Sequence, residues 1–105
     1  MASEVYVARL LLYRAAALFD TGQEPVQEVT IAKLFCTEAA SRAADVAIQI
    51  HGAMGVSREF HVERLYRDSR AYRIFVGTSD IQRLMIASNL QKREIGDAIA
   101  PGGLQ

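Results

Sequence analysis

The chain has 105 residues, half of them hydrophobic, with 12 basic and 12 acidic side chains and a formal net charge of zero. Balanced charge mixed along the chain supplies no field for a nucleic acid or an anionic membrane. The length suits one small domain, residues 1–105, and the single cysteine, Cys36, excludes an internal disulfide.

The start, Met1-Ala2-Ser3-Glu4, lacks a basic n-region, and no apolar run approaches the roughly 20 residues that a membrane span requires. The expectation is a cytoplasmic domain. No internal repeat or low-complexity tract is visible. Between the two prolines and seven glycines the periodicity is helical throughout, and no segment alternates at period two for long enough to suggest a sheet. The fold class expected is all-α.

The first helix is expected over about 3–20, with Ser3 as N-cap and Gly22 ending it. Val5, Ala8, Leu12, Ala15 and Phe19 form an apolar stripe at spacings of three and four. Val7, Leu10, Leu11 and Leu18 spread apolar surface beyond the stripe, and only Arg9 and Arg14 are charged between Val5 and Phe19. A helix apolar on most sides is normally buried on most sides.

The second helix is expected from near Pro25 to Ile50 or His51. Ala32, Cys36, Ala39, Ala43, Val46 and Ile50 form a seam whose small members let a neighbouring helix approach closely. Glu38, Arg42, Asp45 and Gln49 line another face, with Glu38 and Arg42 spaced for an i,i+4 pair worth about 0.3 kcal/mol. Gly52-Ala53-Met54-Gly55 stops this helix. A third is expected over about 59–74 and a fourth over about 79–92, the last opened by a capping box of Ser79 and Gln82. The tail, from about 97 to 105, reads as frayed. These elements make an antiparallel helical bundle with more apolar surface than its short helices can cover, and association is the expected consequence.

Three blocks stand out in order: Ala47 to Gly55 (AIQIHGAMG), Val62 to Arg70 (VERLYRDSR), and Arg73 to Arg83 (RIFVGTSDIQR). Together they resemble the closing helices of the acyl-CoA dehydrogenase family, flavoenzymes that desaturate acyl-CoA thioesters. The resemblance runs from the first helix to about Asn89. It implies an oligomeric enzyme with an N-terminal helical domain, a middle β domain and a C-terminal four-helix bundle, of which this chain would be an incomplete part. FAD would lie across a subunit interface.

The resemblance also assigns residues. Gln49, Gly52 and Ala53 match a block that touches the ADP part of a neighbour's FAD, although Ala53 departs from the commoner glycine. Thr78 and Asp80 match flavin-contact positions, with Asp80 shorter than the usual Gln or Glu. Gly77 would border the acyl thioester. The catalytic glutamate directly before the Gly-Thr is replaced by Val76, which has no ionisable proton to exchange. One branch of the family carries a small residue there and takes its glutamate from an upstream helix, which here would lie before Met1. No catalytic base is therefore assigned on this chain.

The residues also admit plainer readings. Thr78 and Ser79 are helix caps by type, Gln49 suits a solvated face, and Arg67 and Asp68 suit salt bridges. Cys36 reads as a packed thiol on the seam, and Glu63 belongs to the structural block. His51 and His61 lack a third ligand at metal-site spacing, so no metal is assigned. The leading reading is the C-terminal part of an FAD-dependent acyl-CoA dehydrogenase acting in fatty acid metabolism. The alternatives are a non-catalytic helical interaction module and a homodimer enclosing a small ligand.

Overall fold

The computed structural model describes residues 1–99, with side chains described to Gly96. Four helices occupy them: α1 (Ala2–Asp20), α2 (Val26–His51), α3 (His61–Tyr72) and α4 (Ser79–Ile99). A 3-10 turn, Gly52–Val56, follows α2, and there is no strand among the described residues. The all-α expectation holds.

Helix ends explain where the sequence reading was accurate. Gly22, at φ +77°, carries the left-handed turn after α1. Its N–H reaches Phe19 O at 3.0 Å while Gln23 N–H reaches Leu18 O at 3.2 Å, satisfying carbonyls that the helix leaves open. Gly52, at φ +60° and ψ −141°, ends α2 in a different positive-φ conformation that favours glycine. Pro25 sits just ahead of α2 as its cap rather than inside the first turn.

Other boundaries moved. Ser3 lies within α1, because Val5 N–H already bonds Met1 O at 3.0 Å and helical bonding starts there. The third helix is shorter than expected: Phe60 is extended at φ −112°, ψ 137°, and the chain leaves the helix after Tyr72. The fourth runs past Lys92 to Ile99, so 97–99 are helical, and the rest of the expected frayed tail lies outside the described residues.

The tertiary arrangement is a spine with helices laid along it. α2, of 26 residues, is about 39 Å long at the rise of an α-helix. Glu4 meets Arg42 and Ala8 O meets Cys36, so α1 runs antiparallel to α2. Ser41 donates to Ser69 O, and Gly77 O meets Lys33, so α3 and then α4 follow α2 antiparallel, one after the other. Each of α1, α3 and α4 contacts α2, whereas among the described residues α1 does not contact α3 or α4, and α3 does not contact α4. The result is an open, elongated assembly of 63 × 25 × 24 Å rather than a closed bundle.

Small side chains build the core. Ala15, Ala32, Ala39 and Ala44 are its buried aliphatic residues, and among the described residues no large side chain is fully buried. Much of the expected stripe and seam therefore stays open: Ala15, Ala32 and Ala39 are covered, while Val5, Leu12, Phe19, Val46 and Ile50 are exposed. Gly55 is needed where the 3-10 turn crosses α2, since a Cβ there would stand 2.6 Å from Ile48 O.

Candidate functional site at the turn between α3 and α4

The link between α3 and α4 contains the strained part of the backbone. Val76 has φ +54°, and among the described residues it is the non-glycine with positive φ; Gly77 follows at φ +89°. A β-branched residue in the left-handed region costs on the order of 1–3 kcal/mol and persists only where neighbours over-determine it. Val76 gains nothing from burial in return, being 91% exposed.

Hydrogen bonds from the spine supply the constraint. Lys33 Nζ, on α2, donates to Gly77 O at 2.6 Å. Five residues further along α2, Glu38 Oε1 accepts from Ser79 Oγ at 2.6 Å and from Arg73 Nε at 2.9 Å, with Arg83 at 3.8 Å. Gln82 Nε2 donates to Val76 O at 3.1 Å, and Ser79 N–H closes the link onto Arg73 O at 3.1 Å. The Ser79 hydroxyl, opposed by partial burial and aided by the Arg73 guanidinium, holds the Glu38 carboxyl below its ordinary value. An acid stabilised in its ionised form is a weak proton acceptor, so Glu38 is a clamp.

The clamp overturns two local expectations. Ser79 and Gln82 do not form a capping box. Thr78 caps α4 instead, its Oγ1 accepting Ile81 N–H at 3.3 Å, because Ser79 and Gln82 are engaged by Glu38 and Val76. Glu38 and Arg42 do not pair either, since Arg42 Nη2 meets Glu4 on α1 at 2.7 Å. Tertiary partners offered better geometry than the helix neighbour did.

The remaining candidates divide into two groups. Thr78 and Asp80 stand at the start of α4, where they share a groove of about 180 Å³ with Arg70, Arg73 and Arg83. Asp80 is paired with Arg83 at 3.2 Å. Gln49, Gly52 and Ala53 are exposed at the far end of α2. Glu38 and Gln49 are about 16 Å apart at the helical rise, so the two groups do not converge on one another. Gly52 has open space where a Cβ would stand, which lets a ligand approach its backbone. Beside Gly77 lies a different groove, apolar and of about 490 Å³, lined by Phe19, Val29, Val76, Ile81 and Met85 with Lys33 at its edge.

Arg67 pairs with Glu63 at 2.8 Å and Arg64 with Asp68 at 3.7 Å. Burial raises the pKa of the Cys36 thiol, whose Sγ rests 3.9 Å from Ala8 O. His51 Nδ1 lies 2.7 Å from Ala47 O. Sequence reasoning missed Lys33 and gave Glu38 the wrong partner. The available signal was one lysine inside the otherwise apolar run Ile31 to Cys36, a pattern that demands a polar partner from elsewhere.

An open helical spine grips a strained Val-Gly turn and leaves broad apolar faces uncovered. The family model described as acyl-CoA dehydrogenase, C-terminal domain, matches residues 1–91. The chain belongs to the acyl-CoA dehydrogenase family. It is 42% identical to a 3-(aryl)acrylate reductase of Clostridium sporogenes, over 88% of this chain and 24% of that protein. It is 48% identical to the human mitochondrial short-chain specific acyl-CoA dehydrogenase, over 86% of this chain and 22% of that protein. Among solved structures, the FAD complex of PigA superposes with a TM-score of 0.82 at 34% identity, over 89% of this chain and 24% of that one. The chain thus spans about a quarter of the length of the relatives it matches. No helix among the described residues is long and apolar enough to cross a membrane.

Proposed function

We propose that this chain acts as the C-terminal helical part of an FAD-dependent acyl-CoA dehydrogenase, an oxidoreductase of the CH–CH group of acyl-CoA thioesters in cytoplasmic fatty acid metabolism. Its contribution is flavin contacts and oligomer surface. The observation carrying this reading is the separation of the two candidate groups along α2, Thr78 and Asp80 at one place and Gln49, Gly52 and Ala53 at another. Residues arranged in this way suit a cofactor that passes between subunits, each offering one group.

The residues fit FAD in part. Thr78 has spent its oxygen as a cap, which leaves its hydroxyl proton free to donate. Gln49 and the open backbone at Gly52 suit the polar ADP portion. The flavin, when bound, would supply the hydride acceptor; this chain would orient it. Gly77 would border the thioester, and Val76 would supply shape at the position where relatives place a base. Proton abstraction is left to a carboxylate from elsewhere in the assembly.

The absorbance spectrum of the purified chain tests the reading. Added FAD should be retained with a flavin band, while acyl-CoA should show no turnover with a dye acceptor, in this chain or in Val76→Glu. A colourless chain that takes up no FAD would remove flavin binding by these residues. Flavin-dependent turnover would overturn the division of labour.

A second reading, a non-catalytic module that associates with itself or with a longer subunit, draws on a different observation. Tyr6, Tyr13, Phe19, Ile50 and Phe75 are all exposed. Such a surface suits a protein partner whether or not flavin is present.

A further inference from the structure

We infer that Lys33 is a positioning residue that turns the Gly77–Thr78 peptide so that the Thr78 N–H is presented to ligand; the proposal rests on the flavin reading of Thr78. Lys33 lies on α2, 44 residues before Gly77, and its ammonium donates to Gly77 O at 2.6 Å. No cis peptide occurs among the described residues, and in a trans peptide the C=O and the following N–H point in opposite directions. Fixing Gly77 O on the spine therefore aims the Thr78 N–H away from the spine.

The two sides of the turn differ as this requires. Lys33 and Gly77 line the apolar groove, whereas Thr78 lines the groove shared with Arg70, Arg73 and Arg83. The cation also polarises the peptide whose oxygen it holds, which strengthens the N–H at its other end as a donor. α2 thereby grips the link twice, with Lys33 at Gly77 and Glu38 at Arg73 and Ser79. Lys33 is the grip that decides which way the peptide faces. It also holds Val76 at positive φ, because the Gly77 carbonyl cannot stay on Lys33 if that residue relaxes.

The test uses the full chain labelled with 15N and 13C, in Lys33→Met, Lys33→Arg and Lys33→Met/Val76→Gly, with each sample also titrated with FAD. Lys33→Met should shift the Gly77 carbonyl and Thr78 amide resonances. It should also speed exchange of the Ser79 amide, and weaken FAD binding, about tenfold each, as expected for loss of one charge-assisted hydrogen bond. Arginine at 33 should restore the Thr78 amide. So should glycine at 76 in the Lys33→Met background, since glycine adopts the left-handed turn unaided. A merely structural lysine would not be rescued by glycine at 76, and that failure, or an unmoved Gly77 carbonyl in Lys33→Met, overturns the proposal. If Lys33→Met does not fold, the unsubstituted chain decides. A slowly exchanging Lys33 ammonium with a nuclear Overhauser contact to Gly77 supports the inference, and a freely averaging one refutes it. Absence of FAD uptake in the unsubstituted chain with the resonance changes intact would sink the flavin reading alone.

Discussion

Val76 and Gly77 show how one residue position records a tertiary decision. Valine is among the worst residues for φ +54°, and its side chain is exposed, so Val76→Gly should stabilise the chain by about 1 kcal/mol. Gly77→Ala should do the reverse, by about 1–3 kcal/mol, because φ is +89° and the new Cβ would stand 2.7 Å from Gln82 Nε2. Gln82 could move aside, but only by releasing Val76 O. Thermal denaturation of both variants measures the opposed signs. Glu38 adds a pH dependence. Its folded-state pKa lies below the ordinary 4.5, held there first by the Ser79 hydroxyl and then by Arg73, against the opposing effect of burial. Stabilisation is thus complete above the unfolded value and is lost as pH falls through the folded one. Glu38→Gln should be less stable than the parent at neutral pH, and the two should converge in denaturant titrations below pH 4.5.

At the scale of elements, the sequence was accurate where a helix end depends on local chemistry and inaccurate where it depends on a distant partner. Gly22 and Gly52 end helices for reasons contained within a few residues, and both were legible. The start of α4 was not. Ser79 and Gln82 match a capping box by spacing, yet Glu38 and the Val76 carbonyl recruit them, leaving the cap to Thr78. The 3-10 turn after α2 has a similar dependence on close approach. Gly55→Ala places a methyl group against backbone at Ile48 O, an atom that cannot rotate away. Loss of on the order of 2 kcal/mol is expected, with faster amide exchange across Gly52–Val56 than in α1. Uniform exchange changes throughout the chain would argue against a local clash.

The whole molecule is poorly covered by its own surface. It exposes 8023 Å², whereas a compact chain of this size exposes roughly 5,800 Å². Its radius of gyration is 18.2 Å, against about 13 Å for a compact domain of about 100 residues. An apolar groove of about 290 Å³ also runs between α1 and α2, lined by Val5, Ala8, Leu12, Cys36 and Ala39. Self-association at micromolar concentration is the expected outcome, measured by light scattering, and a clean monomer would mean that this surface is tolerated in water.

What the sequence determined by itself was the set of helices, the glycine stops, the excess of apolar surface and the ordered motifs that carry the family. Those features follow from periodicity and local backbone preference, which neighbouring residues settle among themselves. The tertiary structure alone decided that α3 and α4 follow one another along α2, that Lys33 and Glu38 grip the link between them, and that Val76 is forced to positive φ. Each of these joins residues some 28 to 44 positions apart, and no local pattern encodes which side chain will find a partner at that distance.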